Sequence, residues 1–166
     1  MTTKIPKSLQ APVPLFDRLV DNNPRSDEEP TPLRRYNRDQ LKESMHHEIE
    51  MLLNTRPGHL RLQELDEPDE SVAGTTLFYG AHYFGDHDVT STEGKANIKH
   101  LLAQTIARFE PRLEDIKVEI NAFDRVKQRL SVIIDGTLVS GNIREQWSFP
   151  VSISDVEITK NESLAS

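Results

Sequence analysis

The strongest constraint on this chain is a change of period at one proline. Over residues 96–112, Ile98, Leu101, Leu102, Ile106 and Phe109, with Thr105 among them, recur at offsets of three, four, seven, eight and eleven. That spacing lays a continuous apolar stripe along an α-helix. Pro111 stops it, because the residue before a proline is disfavoured in helical geometry. Beyond the proline the period drops to two: Ile116, Val118, Ile120 and Ala122 alternate with Lys117, Glu119 and Asn121. A helix must therefore become a strand within a few residues. Glu110-Pro111-Arg112 is the corner, with opposite charges on either side of a rigid break, and no catalytic signature stands near it.

Two more strands follow. A polar stretch at residues 124–129 turns the chain, and Leu130, Val132, Ile134 and Leu138 form the second strand, with a bulge expected at Asp135-Gly136. Ser140-Gly141-Asn142 marks the next turn, and Trp147, Phe149, Val151 and Ile153 give a third strand with one apolar face. Pro150 lies inside it and cannot donate to a ladder, so this strand reads as an edge or as bulged. An apolar edge needs cover. Either Pro150 and the following tail supply it, or a strand of another protein pairs alongside through Trp147, Phe149 and Val151. Val151→Pro is the substitution expected to block such pairing.

Upstream, Asn37 or Asp39 can cap a helix running to about residue 55. Leu41, Met45, Ile49, Leu52 and Leu53 are its buried stripe, and Pro57-Gly58 ends it. His46-His47-Glu48 falls short of a zinc-protease motif, because Met51 stands four residues after His47. These read as polar residues on an exposed face. Leu60, Leu62 and Leu65 alternate loosely before Asp66-Glu67-Pro68-Asp69-Glu70 breaks the chain. Residues 72–89 read as a long connection anchored by aromatics. His82, Asp86, His87 and Asp88 crowd too closely to hold a metal without a fold around them, so no metal or cofactor is assigned. Thr90 and Glu93 have capping-box spacing at the start of the second helix, with Gly94 in its first turn working against it. Near the N-terminus, Leu15, Phe16, Leu19 and Val20 share one side of a short amphipathic helix. It is too short to stand alone and must dock, on its own body or on a partner.

Composition narrows the function. The 166 residues carry a formal charge of -7 and a pI near 5.4, which argues against nucleic acid as the main partner. Residues 38–95 hold twelve acidic and five basic side chains, so the excess sits in the middle third. It marks a solvated face or a docking surface for a basic partner. There is no cysteine, no signal-peptide pattern and no apolar run of membrane-spanning length, which makes the cytoplasm the default compartment. The expected fold is α+β: two main helices on a three-stranded, or slightly larger, antiparallel β-meander, with a short N-terminal amphipathic helix. Residues 1–37 are assigned to an N-terminal tail, short helix and linker, 38–158 to the domain, and 159–166 to a C-terminal tail.

These residues resemble a known family. A helix, then Phe109-Glu110-Pro111-Arg112-Leu113, then an antiparallel meander is similar to the baseplate-wedge family of contractile phages and type VI secretion systems. The helix end Leu52-Leu53-Asn54-Thr55-Arg56 is similar to that of the family's first long helix. Leu15-Phe16-Asp17-Arg18-Leu19 resembles a short N-terminal segment of its secretion-system branch. The family's middle loop usually reads Tyr-Gly-Leu-Pro-Asp, whereas here Tyr79-Gly80 is followed by Ala81-His82-Tyr83-Phe84-Gly85.

The resemblance implies a structural baseplate subunit, not an enzyme. It implies charged contacts from Glu110 and Arg112 to the wedge subunits TssF and TssG, with TssK in the same complex. It also implies a strand-pairing template for the sheath proteins TssB and TssC. On this reading Glu110→Ala and Arg112→Ala leave the fold intact and weaken assembly. The alternative is a lysozyme-like glycoside hydrolase, with Glu110 as acid and Asp115 or Glu119 as its partner. Arg112 opposes it, because a nearby cation lowers a carboxylate pKa.

Overall fold

The computed structural model describes residues 11–14, 17–19, 25, 35–57, 75–81, 87–141 and 143–154. Two short strands, β1 (Ala11–Pro12) and β2 (Arg35–Tyr36), pair antiparallel ahead of helix α1 (Arg38–Asn54). Helix α2 (Thr92–Phe109) leads into β3 (Leu113–Asp124), β4 (Arg129–Ser140) and β5 (Ile143–Ile153). The last three form an antiparallel meander in the order β3-β4-β5, with the helices packed on one side. This is the α+β arrangement expected from the sequence.

Each helix forms where its stripe and cap agree. Asn37 caps α1 in a reciprocal box with Gln40: its side chain accepts the Gln40 N–H at 2.9 Å, and its own N–H donates to the Gln40 side chain at 3.1 Å. Leu41, Met45, Ile49, Leu52 and Leu53 are all buried, as their spacing requires. In α2 the buried residues include Ile98, Leu102 and Ile106, with Leu101 and Phe109 half-buried beside them. Its cap is Ser91, whose hydroxyl accepts the Gly94 N–H at 2.9 Å, not Thr90. Thr90 instead donates its N–H and hydroxyl to the Asp88 carboxylate. Gly94 is required for a different reason: a Cβ there would lie 2.1 Å from the Asp88 carbonyl oxygen, so the loop crosses directly over the first helical turn.

The expected bulge belongs to β3, not to β4. Asp115 has φ 53°, and the register jumps from Glu114↔Thr137 to Lys117↔Asp135, so Asp115 and Ile116 together face Gly136. Gly136 marks the position from across the ladder because the Leu113 side chain lies over it, 2.8 Å from where a Cβ would stand. A second irregularity, between Ile120 and Ala122, reverses the alternation. Ala122 is therefore exposed, and Phe123 packs against the core in its place. At the β3–β4 turn the Asp124 carboxylate takes the N–H groups of Val126 and Lys127. The β4–β5 turn closes at Ser140↔Ile143 with Gly141 at φ 62°.

The described residues of the N-terminal region are more tied down than its composition implies. Ala11 and Val13, expected in a tail, are buried. Residues 17–19 form a turn, with the Arg18 N–H donating to the Pro14 carbonyl at 3.3 Å. The Asp17 carboxylate accepts the Tyr36 hydroxyl at 3.1 Å and the Ser44 hydroxyl at 2.6 Å, fastening this turn to β2 and α1. Leu15, Phe16 and Val20, which would complete the expected short helix, lie outside the described residues. So do Leu60, Leu62, Leu65, the acidic break after them and residues 82–86. Among the described residues no helix is long and apolar enough to cross a membrane.

Gly94→Ala separates the two roles of this glycine. In an open helix the change gains up to about 1 kcal/mol. Here the clash is with backbone, and a loss of about 1–3 kcal/mol is expected in urea denaturation.

Candidate functional site

The corner is built from three charged side chains, one of which the sequence did not single out. Helix α2 ends at Phe109, and Glu110 caps it through its N–H to the Ile106 carbonyl at 2.7 Å. Pro111 follows, and the Glu110 carbonyl accepts the Leu113 N–H at 3.1 Å as β3 begins. This places Arg112 beside Glu110 and across from α1. Its guanidinium grips both Glu110 oxygens, Nε to Oε1 at 2.7 Å and Nη2 to Oε2 at 2.6 Å. The same Nη2 donates to Glu48 Oε2 on α1. One arginine thus ties the end of α2, the start of β3 and the middle of α1 together.

The sequence pattern alone puts Glu48 on an exposed polar face, but the structure half-buries it against Arg112. It stands three residues after Met45 and one before Ile49, at the border of the buried stripe, so a helical wheel places it where a charge would need a partner. What the sequence cannot supply is that Arg112, 64 residues later, is that partner.

The electrostatics follow from burial. The Glu110 residue is only 6% exposed and Arg112 is half-buried. Two carboxylates share one guanidinium, so the cluster keeps an excess negative charge. Burial pushes the Glu48 carboxyl above the ordinary glutamate range, Arg112 pulls it back, and the Glu110 carboxylate pushes it up again. Hydrogen bonding to Glu110 holds the Arg112 guanidinium more firmly protonated than usual. Tyr79 packs edge-on to Phe109 at 5.4 Å, and burial, with Glu48 and Glu110 nearby, raises its hydroxyl pKa. Gly80 (φ 124°) lets the next residue meet the end of α1, where the Ala81 N–H reaches the Thr55 carbonyl at 3.0 Å.

The remaining candidates fall in different places. Trp147, Phe149 and Val151 are buried in the core. Trp147 meets Phe149 edge-on at 6.0 Å, and His46 stacks on Phe149 at 6.3 Å. What β5 turns outward is backbone, beside exposed Gln146, Ser148 and Pro150. Leu19 is 71% exposed, whereas Leu15 and Phe16 lie outside the described residues. Of the metal quartet only His87 and Asp88 are described. The Asp88 carboxylate is taken up by the Thr90 N–H and hydroxyl, whose hydrogen bonds lower its pKa. Among the described residues no three His, Asp or Glu side chains are grouped to hold a metal.

Two outcomes test the corner. Arg112→Ala does not merely trim a surface, because it leaves the buried Glu110 carboxylate unpaired. A loss of about 3–5 kcal/mol is expected by guanidinium denaturation, with much of it restored by adding Glu110→Gln. Glu48 carries the pH dependence. A carboxylate raised in the folded chain binds its proton more tightly there than when unfolded. The linked stability is complete below the ordinary glutamate value and is lost as pH rises through the folded one. The melting temperature of wild type relative to Glu48→Gln should therefore climb as pH falls from about 7 to about 4.5.

A family model described as "Baseplate wedge protein gp25" matches residues 39–142, from the first turn of α1 to the β4–β5 turn. No curated protein matches the chain. A crystal structure from Geobacter sulfurreducens, provisionally named a tail lysozyme, is similar over 69% of this chain and 93% of its own, at 18% identity and a TM-score of 0.45.

Proposed function

The chain belongs to the baseplate wedge protein gp25 family, and from that premise we propose that it is the TssE subunit of a type VI secretion baseplate. It works by docking, not catalysis. The corner at Glu110, Pro111 and Arg112 seats against the wedge subunits TssF and TssG, with TssK in the same complex. The β5 margin offers the first sheath proteins, TssB and TssC, a strand to pair with. The baseplate it joins stands on the cytoplasmic side of the inner membrane.

The observation that carries this reading is how the charged residues are used within the matched span. Arg112 Nη2 contacts both Glu48 Oε2 and Glu110 Oε2. A glycosidase pair must be separated by about 5–9.5 Å with the sugar between them. Here the Glu110 carboxylate is held bidentately by an arginine that also reaches Glu48. Of the two acids weighed as partners for Glu110, Glu119 pairs with Lys99 at 2.5 Å. Asp115 accepts a long 3.4 Å contact from the Thr137 hydroxyl at the bulge. The arrangement favours a shape set before binding. Pro111 and the bidentate Arg112 hold the corner fixed, so little freedom is lost when a neighbour seats on it. Arg112 and Glu48 keep 26% and 31% of their side-chain surface open at the rim, and the excess negative charge suits a basic neighbour.

The test is co-purification with TssF and TssG. Wild type is expected to capture both, and Leu19→Asp, at an exposed position, to capture less without a change in melting temperature. Failure of wild type to bind either subunit would overturn the proposal. So would clearing of a peptidoglycan suspension that Glu110→Gln abolishes.

A further inference from the structure

The turn between β3 and β4 has a fixed shape and a charge opposite to that of the chain. The ladder closes at Asp124↔Arg129, leaving residues 125–128 as the loop. The Asp124 carboxylate accepts the N–H groups of Val126 and Lys127 at 3.0 and 3.1 Å, and Gln128 takes φ 48° as the chain turns back. The backbone of the turn is thus held from within. Its side chains are not. Arg125, Val126, Lys127, Gln128 and Arg129 are all exposed.

Val126 is 94% exposed, further out than Leu19, Met51 or Tyr79, the other large apolar residues at the surface among the described residues. A lone surface valine is ordinary. This one stands where a turn favours glycine, asparagine or aspartate, and it has no part in the core. It also stands among cations. Residues 124–129 carry three cations and one acid in a chain of net charge -7, and that acid is hydrogen-bonded to the turn's own backbone. Arg38, Lys99, Arg112 and Arg144 each hold a carboxylate. Arg125, Lys127 and Arg129 hold none among the described residues. Arg125 acts on Asp88 only from beyond pairing distance, and Arg129 borders a groove with Glu50 without pairing to it. An acidic chain therefore gathers unpaired positive charge around one exposed apolar side chain. The twelve residues of β3 set this turn roughly 35 Å from the corner.

The chemistry of the occupant follows from what the turn offers. A nucleic acid would find three cations on a chain whose net charge repels phosphate. A lipid surface would take up one valine side chain, too little apolar area to anchor without a second signal. A protein pocket needs neither. A small apolar knob inside a polar rim is how a compact protein contact is laid out, and charges at the rim steer and orient it. A turn held rigid beforehand loses little freedom on docking. We propose that the β3–β4 turn is a docking peg for an acidic protein surface. Val126 seats in a small apolar pocket of the neighbour, Arg125 and Lys127 pair with carboxylates at its rim, and Arg129 lies on the flank. This contact is separate from the corner and additional to the docking assigned there.

A photoactivatable diazirine amino acid at position 128, in cells where the full chain meets its natural neighbours, reads the occupant directly. The crosslinked peptide is expected to come from a protein and to be rich in Asp and Glu. Arg125→Glu combined with Lys127→Glu should cut the yield by about fivefold or more, and so should Val126→Asp. Lys127→Arg, which keeps the charge, should crosslink normally, and all variants should melt within a few degrees of wild type. Changing an acid of the crosslinked peptide to lysine should return part of the yield to the double variant, which separates a specific pair from general attraction. Crosslinks to lipid or nucleic acid alone, a protein crosslink indifferent to both the charge and the valine variants, or no crosslink at all would each overturn the peg. Glu110 and Arg112 are intact in every variant, so none of these outcomes bears on the corner.

Discussion

One guanidinium holds this fold's geometry in place. Arg112 bridges a carboxylate on the first residue of the helix–strand corner and another in the middle of a distant helix. The hydrophobic contacts between α1, α2 and the sheet are non-directional and would tolerate some sliding. A bidentate ion pair does not, because its bonds fail within a few tenths of an ångström and a few tens of degrees. The cost is a buried carboxylate and an unbalanced cluster. Such clusters are weak evidence for net stability and better evidence for a fixed relative position of the parts they join. A subunit that must meet neighbours in one orientation needs that fixity.

The two margins of the sheet are protected by opposite means. Along β3 the chain spends two irregularities, at Asp115 and beyond Ile120, and places Lys117 and Glu119 on the strand. Bulges and charges twist an edge out of pairing register. Along β5 the strand stays regular over its full length, and protection is supplied by Pro150 and by side chains from α1. A regular edge capped from one side only leaves a defined remainder.

Much of the fold was legible because local chemistry and the global arrangement agree. The stripes of both helices, the Asn37 cap, the turn at Gly141 and the meander all follow from period and turn residues. The misreadings have a common form. A glycine in a strand points to a bulge there, yet Gly136 is small because Leu113 lies over it from the neighbouring strand. Strict alternation puts Ala122 inside, but one extra residue after Ile120 shifts every position beyond it. Gly94 counted against the second helix, although the Asp88 carbonyl requires it. In each case the deciding atom belongs to a residue that no local window includes, or that it gives no reason to connect.

The sequence alone determined the two helices, the three-stranded meander, their order and the corner, but not the β1–β2 pair, which lies where a tail and a linker are expected. Spacing fixes which face of a helix or strand is apolar, and a proline fixes where one period must end. It also carried the family resemblance, since that rests on short strings in a given order. Tertiary structure decided what the charges do. Glu48, Glu110 and Arg112 become one cluster only when α1 lies across the corner, and His46 and Asn54 become edge caps only when α1 runs beside β5. Ion pairs and edge hydrogen bonds depend on distances between elements, and those are set by how the apolar faces pack rather than by any pattern along the chain.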